Sequence, residues 1–249
     1  MPINYRSNEE IEKIRQANHI VVAAHKRLEE ILRPGISTKE LDREAEIVIR
    51  DLGGRPSFKG YRGFPNTLCV AVNDQVVHGI PNKTVLKDGD IVGLDLGVEI
   101  KGYFGDAAQT LPVGEITEEA RTLLRITQEA LYKGIEQAVL GGRLSDISHA
   151  VQKHAESNGF SVVTAFVGHG IGTKPHEDPQ IPNFGSPGRG PVIQRGMVLA
   201  IEPMVNVGGA EVQVMGDNWT VRTSDGELSA HFEHSIAIME DGYSILSEF

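Results

Sequence analysis

The sequence predicts an α+β protein of two related halves, in which helices cover a mainly antiparallel sheet. Three observations predict it. Capped, amphipathic helical stretches stand before β-rich stretches both at the start of the chain and near its middle. Ile91 to Leu111 reads as a hairpin, two apolar runs flanking a short turn that ends at Gly102. The order of long helix, glycine break, shorter helix, glycine and strands then recurs, with Gly35-Ile-Ser37 answered by Gly142-Arg-Leu-Ser145 about 107 residues later. The 249 residues are read as a single domain with halves of about 1–112 and 113–249.

Ser7-Asn8-Glu9-Glu10 has the form of a capping box, and Ile11, Ile14, Val21, Val22, His25, Leu28 and Leu32 follow at helical spacing until Pro34-Gly35. A second box, Ser37-Thr38-Lys39-Glu40, comes next, with Ile36 and Leu41 placed as a hydrophobic staple, and its helix runs to Gly53-Gly54. Phe58 to Val77, rich in glycine, aromatic and β-branched residues, reads as a loop feeding strands. Beyond the hairpin, Thr117 opens a long helix carrying Leu123, Leu124, Ala130, Leu131, Ile135 and Ala138, stopped by Gly141-Gly142. A shorter helix is expected from Ser145-Asp146 to near Gly159, and Ser161 to Val167 reads as a strand.

Each run of the hairpin carries one aspartate, Asp95 and Asp106, and the two are expected almost opposite each other. Aspartate is a poor strand residue, and its carboxylate is costly to bury unless something neutralises it. Two brought together repel, so a cation is the natural compensation; the plainer reading has one capping a turn and the other solvated on an edge. The second half adds His169 in Val-Gly-His-Gly-Ile-Gly, whose glycines are read as allowing a tight turn and close approach to the imidazole. It adds His176 between Pro175 and Glu177, Glu202 at the end of Met-Val-Leu-Ala-Ile-Glu-Pro, and Glu233 in Ala-His-Phe-Glu-His-Ser-Ile. His231 and His234 are treated as core or surface residues, alternation placing His234 on the face opposite Glu233. His19, His25, His149 and His154 are treated likewise.

Composition narrows the classes. A net charge of -10 argues against specific nucleic-acid binding, which needs cations to replace phosphate counterions. No apolar run approaches the length of a membrane span and the first residues do not form a signal peptide, so a cytoplasmic protein without membrane contact is expected. The single cysteine, Cys69, excludes an internal disulfide and reads first as a small buried hydrophobe.

Asp95, Asp106, Glu202 and Glu233 would neutralise two divalent ions, and His169 as a fifth ligand would leave positions open for water and substrate. That is the pattern of a two-metal hydrolytic site, whose ions stand about 3.5–4 Å apart and activate a shared water. Carboxylate-rich ligation with one imidazole suits manganese, iron, cobalt or zinc without choosing among them. A non-heme iron triad needs two histidines and one carboxylate, and carboxylates dominate here. The expected place for the site is between the halves.

Asp95 and Asp106 eleven apart, Gly168-His169-Gly-Ile-Gly172, His176, Ile201-Glu202-Pro203 and Glu233 closely resemble the type I methionine aminopeptidases of the minimal bacterial form. The resemblance covers essentially the whole chain and implies the pita-bread fold around a dinuclear metal site. It implies removal of the initiator methionine from nascent polypeptides when the second residue is small. It also implies that Asp106 and Glu233 bridge the ions, that Asp95 completes one, and that His169 and Glu202 complete the other. Glu202 would shuttle a proton to the leaving amine, His176 would donate to the developing oxyanion, and His78 would contact the scissile peptide nitrogen. Phe58, Tyr61, Phe64, Cys69 and Trp219, with His78 and His176, would line the substrate pocket. Phe64 stands where many members carry tyrosine, and Pro175 replaces a residue that is often bulky and apolar, which is expected to widen the mouth and stiffen the approach to His176.

A monomer is expected, with at most a weak association with the ribosome. A binding module that has lost its ligands is disfavoured because every ligand position is filled. Prolidases, creatinases and X-Pro aminopeptidases are disfavoured because the first capped helix starts at Ser7, leaving no room for an additional N-terminal domain. The type II enzymes are disfavoured because no segment is long enough for their helical insertion.

Overall fold

Strands Ile91–Ile100 and Tyr103–Pro112 pair antiparallel along their whole length in the computed structural model, which describes residues 2–249. The two-residue loop between them has positive φ at both positions, Lys101 at 52° and Gly102 at 82°. A two-residue loop of that hand follows the right-handed twist of the strands. The hairpin is the centre of one half of a nine-stranded antiparallel sheet. The order is Arg55–Pro56, Ile91–Ile100, Tyr103–Pro112, Glu233–Met239, Val198–Ile201, Val167–Gly170, Glu177–Pro182. Cys69–Val72 is added beside Ile91–Ile100, and Gly242–Ile245 beside Glu233–Met239. Glu233 opposite Ala108 and His234 opposite Ala107 join the first-half strands to the second-half strands.

Helices α1 (Asn8–Ile31) and α2 (Thr38–Asp51) begin at the two capping boxes. The Ser7 hydroxyl accepts from the Glu10 N–H at 3.2 Å while the Glu10 carboxylate accepts from the Ser7 N–H at 2.9 Å. Ser37 and Glu40 repeat the exchange. Helix α3 (Glu118–Glu136) starts from the Thr117 hydroxyl, which accepts from the Ala120 N–H. Helix α4 (Leu144–Ser157) departs from expectation: its cap is Arg143, whose N–H donates to the Asp146 carboxylate at 2.8 Å. Ser145 instead exchanges two hydrogen bonds with the Arg189 backbone. An acidic side chain three residues after the cap satisfies the free N–H whatever residue occupies the cap itself. The position answering to Ser37 is therefore Arg143, each two residues after a glycine with positive φ, Gly35 and Gly141, and each bridged to a valine, Val85 and Val192.

Helices α1 and α2 bury Val21, Leu28, Leu41 and Ile49 against Val92, Leu94 and Leu96 of the hairpin. Helices α3 and α4 bury Leu123, Leu131, Ile147 and Val151 against Leu199, Ile201 and Ile236. Each such side chain contributes about 1.5–3 kcal/mol when fully buried, so the two cores hold the sheet as a firm platform. Among the described residues no helix is long and apolar enough to cross a membrane. The expected strand Ser161 to Val167 is two pieces, Ser161–Val162 in a small separate sheet and Val167–Gly170 in the large one.

His25 is fully buried between α1 and the sheet. Its Nε2–H donates to the Ala107 carbonyl at 3.0 Å, and Nδ1 accepts from the Gln109 side-chain amide at 3.3 Å. Burial pushes its pKa down to about 4, outweighing the carbonyl, which favours the charged form. The unfolded chain takes up this proton near pH 6.5, so the contribution to stability is present above about 6.5 and is lost as pH falls toward about 4. At pH 5 the loss is about 2 kcal/mol. His25→Gln, which keeps one donor and one acceptor without a titrating group, is expected to flatten that part of the stability profile. Denaturant unfolding at pH 7 and pH 5 checks it, and an equal fall in both proteins would refute it.

Candidate active site

Strand register decides how the carboxylates meet. Asp95 pairs with Ala108 and Asp106 with Gly97, so the two aspartates are diagonal neighbours on one face, two residues from the directly opposite position and in keeping with the nearly opposite placement expected. Cys69 pairs with Asp95, Asp95 with Ala108, and Ala108 with Glu233, which makes one row across three pairings of the sheet. The small Ala108 leaves room between the two carboxylates. His169 pairs with Ala200, which pairs with Ser235, two residues beyond Glu233 and therefore on the same face. Glu202 follows Ile201 and points the same way as Ala200.

His169 is not in a turn: it lies within strand Val167–Gly170. Its flanking glycines serve close approach, since a Cβ on Gly168 would collide with the Ala200 carbonyl and one on Gly170 with the Asp178 carbonyl. The His169 Nδ1–H donates to the Gly170 carbonyl at 3.0 Å, which leaves Nε2 bare and facing Glu202 at 3.5 Å. An imidazole held in that tautomer is ready to bind a cation through Nε2.

Ligand atoms of Asp106, His169 and Glu233 lie within 4.8 Å of one another, and all three side chains are buried. Asp95 Oδ1, Asp106 Oδ1 and Glu233 Oε1 are buried without a hydrogen-bond partner. Burial pushes all four carboxyls, Asp95, Asp106, Glu202 and Glu233, above the usual carboxylate range. Asp95 and Glu202 raise Asp106 further, and Asp106 does most to raise Glu233 after burial itself. Orphaned oxygens and mutual repulsion at one spot are what divalent cations relieve, so the donor set fits a metal site. Among the described lining residues the only Lys or Arg is Arg62, exposed at the rim.

His231, set aside in the sequence as core or surface, belongs to this cluster. It is buried, its Nε2 lacks a hydrogen-bond partner and stands 3.5 Å from Glu202 Oε2, opposite the oxygen that faces His169. Thr110 pins its backbone, the hydroxyl accepting from the His231 N–H and donating to its carbonyl, each at 2.9 Å. Its two-residue spacing from Glu233 was the available signal. His234 does lie on the far face, between Ser247 and Tyr132.

The cluster forms the floor of a cavity of about 450 Å³. All twelve residues named from the sequence line it: the five candidate ligands, His78 and His176, and Phe58, Tyr61, Phe64, Cys69 and Trp219. Phe58, Phe64 and Cys69 form one apolar cluster with Ile80 and Trp219, and Trp219 meets Phe64 edge to face at 5.2 Å. Burial and the Asp95 charge push the Cys69 thiol up, so it stays protonated and apolar in character. His176 stands at the mouth between Tyr61, on which it stacks at 5.3 Å, and His169, 4.3 Å away. His78 has a φ of 59° and packs edge to face on Phe166 and Trp219. Burial holds His78 at a pKa of about 4. Surrounding protein and then the His169 charge lower that of His176, so both rings are neutral near pH 7. Phe166 and Arg62 complete the wall and were not anticipated.

The model of metallopeptidase family M24 matches residues 12–240. The chain belongs to the methionine aminopeptidases of that family. It is 54% identical over 234 residues to methionine aminopeptidase 1 of Bacillus subtilis, covering 94% of each chain. It is 54% identical over 242 residues to a methionine aminopeptidase of Clostridium perfringens, covering 97% of each. The crystal structure of methionine aminopeptidase from Thermotoga maritima superposes with a TM-score of 0.98 at 44% identity over the full length of both chains. Prolidase from Pyrococcus furiosus, at 23% identity, shares the fold with a TM-score of 0.81 over 98% of this chain and 65% of its own. The pita-bread architecture is common to both groups. In this M24 chain, the acidic side chains and His169 on the cavity floor are a candidate metal site.

Proposed function

We propose that this methionine aminopeptidase removes the N-terminal methionine from nascent polypeptides in the cytoplasm when the second residue is small. The carrying observation is the convergence of five candidate ligands, three with orphaned oxygens, beneath a pocket walled by Phe58, Phe64, Cys69 and Trp219. Asp95, Asp106, His169, Glu202 and Glu233 would hold two divalent ions, with Asp106 and Glu233 shared between them. Manganese, iron, cobalt or zinc suits this donor set. Bound ions supply Lewis acidity toward the scissile carbonyl and lower the pKa of water.

The chain's own residues divide the remaining work. The apolar wall takes the flexible thioether side chain of methionine, which fills irregular apolar space well. Glu202, between His169 and His231, takes a proton from the attacking water and delivers it to the departing amine. Neutral His176 donates an N–H to the carbonyl oxygen as charge develops there, a contribution of about 3–4 kcal/mol for one well-placed donor. His78, neutral and held by Phe166 and Trp219, accepts from the scissile peptide N–H. The site is complete within one chain, which supports a monomer as the active form.

The second substrate side chain meets the wall around His78 and Phe166, while only the first enters the deep pocket. Peptides with Gly, Ala, Ser, Thr, Pro, Val or Cys second are therefore expected to be cleaved, and those with Leu, Lys or Phe rejected. A large second side chain displaces the carbonyl from its reactive position, and misplacement of about 1 Å costs on the order of a hundredfold. The kcat/KM of Met-Ala-Ser over Met-Leu-Ser measures this. Equal values would refute the narrow wall; Pro175, expected from the sequence to widen the mouth, is buried in a separate hollow beside Tyr61 and Phe104 and does not line this cavity.

A further inference from the structure

His176 ends a stretch, residues 171–176, that has no helix or strand to hold its backbone. Backbone bonds hold its start, Ile171 N–H to the Val198 carbonyl and Phe104 N–H to the Gly172 carbonyl, and Glu177, next in the chain and buried, holds the part nearest His176. Its carboxylate accepts from the Thr173 N–H at 2.9 Å, the Thr173 hydroxyl at 3.1 Å and the Lys174 N–H at 3.1 Å. From the other end of the sequence it accepts from the Asn4 side-chain amide at 2.7 Å and from Arg6 Nη2, at 2.7 Å and 2.6 Å to its two oxygens. One carboxylate thus ties the His176 stretch to the N-terminal segment.

The tie is built into the surrounding backbone. The Arg6 N–H donates to the Gly196 carbonyl at 2.7 Å, and a Cβ on Gly196 would lie 2.7 Å from the Arg6 carbonyl oxygen. A Cβ on Gly172 would collide with the Arg6 guanidinium. Two glycines therefore leave the space through which Arg6 reaches Glu177. The Arg6 and Glu177 side chains are 9% and 5% exposed; Arg6 is the cation beside Glu177, and its Nη1 also stands 3.5 Å from the Glu10 carboxylate. Burial works against ionisation of Glu177, yet the hydrogen bond from Asn4 and the Arg6 charge hold its carboxyl below the usual range.

We infer that Arg6 is a positioning residue for the reaction: through Glu177 it seats the Thr173 and Lys174 amides and so sets the direction of the His176 N–H. The inference rests on the oxyanion role given to His176 above. Arg6 touches neither substrate nor reacting atoms. One nitrogen of the planar guanidinium, Arg6 Nη2, reaches both Glu177 oxygens and stands 3.5 Å from the Thr173 hydroxyl, a placement that a lysine ammonium matches in charge but not in plane. Arg6→Lys thus keeps part of the effect and Arg6→Met keeps none.

A double-mutant cycle with His176→Ala tests it, read as kcat and KM on Met-Ala-Ser with saturating metal, because coupled residues depart from additivity. Arg6→Met is expected to lower kcat by about 10–100-fold with KM within about twofold, as a misdirected catalytic group would. Arg6→Lys is expected to recover part of that loss. In the His176→Ala background, Arg6→Met is expected to change kcat by less than about twofold, because the group it directs is gone. A merely structural tie would lower kcat by the same factor in both backgrounds, which would overturn the inference while leaving the role of His176 intact. Unchanged turnover in His176→Ala alone would instead remove the role of His176 and this inference with it. If Arg6→Met does not fold, Asn4→Ala and Arg6→Lys go through the same cycle under the same criteria.

Discussion

Asp106→Asn is expected to lower turnover by more than about 1000-fold and, in metal-free protein, to raise stability. The first effect follows from its place: Asp106 is diagonal to Asp95 and has ligand atoms of His169 and Glu233 within 4.8 Å. Lewis-acid assistance is worth several kcal/mol, and each 1.36 kcal/mol is about tenfold in rate. The second follows from linkage. Burial and the neighbouring Asp95 and Glu202 raise the folded-state pKa of Asp106 above its unfolded value. For a carboxyl shifted upward, the folded state holds the proton more tightly. Stability is then full below about pH 4 and is lost as pH rises through the raised value. An amide imitates the protonated form and keeps that stability at pH 8. The metal-free variant should therefore melt higher than the native protein at pH 8. At pH 4 the two should melt together. Added metal should stabilise the native protein far more than the variant. Full activity of the variant in chelated buffer, or a lower melting temperature at pH 8, would defeat the metal reading.

Glu202→Gln is expected to lower kcat by about 10²–10⁴-fold, the usual reach of general acid–base catalysis, with KM changed only a few-fold. The amide fills the same volume between His169 and His231, each 3.5 Å away in the native protein, but cannot carry a proton. A carboxylate in this place can accept a proton from water and pass it to an amine, which an amide cannot do. The loss should appear equally in kcat and kcat/KM, measured at saturating metal so that weakened ligation is not mistaken for lost proton transfer. A change confined to KM would show that Glu202 binds substrate and moves no proton.

Much of the molecule was legible from local chemistry. Ser7 with Glu10, Ser37 with Glu40, and Thr117 opened helices where the sequence placed them, because a cap is satisfied by residues three apart and needs nothing distant. The aspartates in the hairpin stood out because carboxylates in apolar strands are costly whatever the fold. Where reading failed, two local solutions were equally allowed. Either Ser145 or the Asp146 carboxylate could have started α4, and the contacts of Ser145 with Arg189, forty-four residues on, decided it. The Gly-His-Gly run could have turned or extended, and the Ala200 and Asp178 backbones crowding Gly168 and Gly170 decided for extension.

By itself the sequence determined the starts of α1, α2 and α3, a short hairpin turn ending at Gly102, and a set of candidate metal ligands, since residue type and short-range spacing suffice for each. Only the tertiary structure decided that Asp95 and Asp106 meet diagonally, that His231 joins Glu202, and that Arg6 is tied to Glu177. Register, sheet order and the path of the N-terminal segment arise from packing between residues up to 171 apart, and no local pattern carries that information.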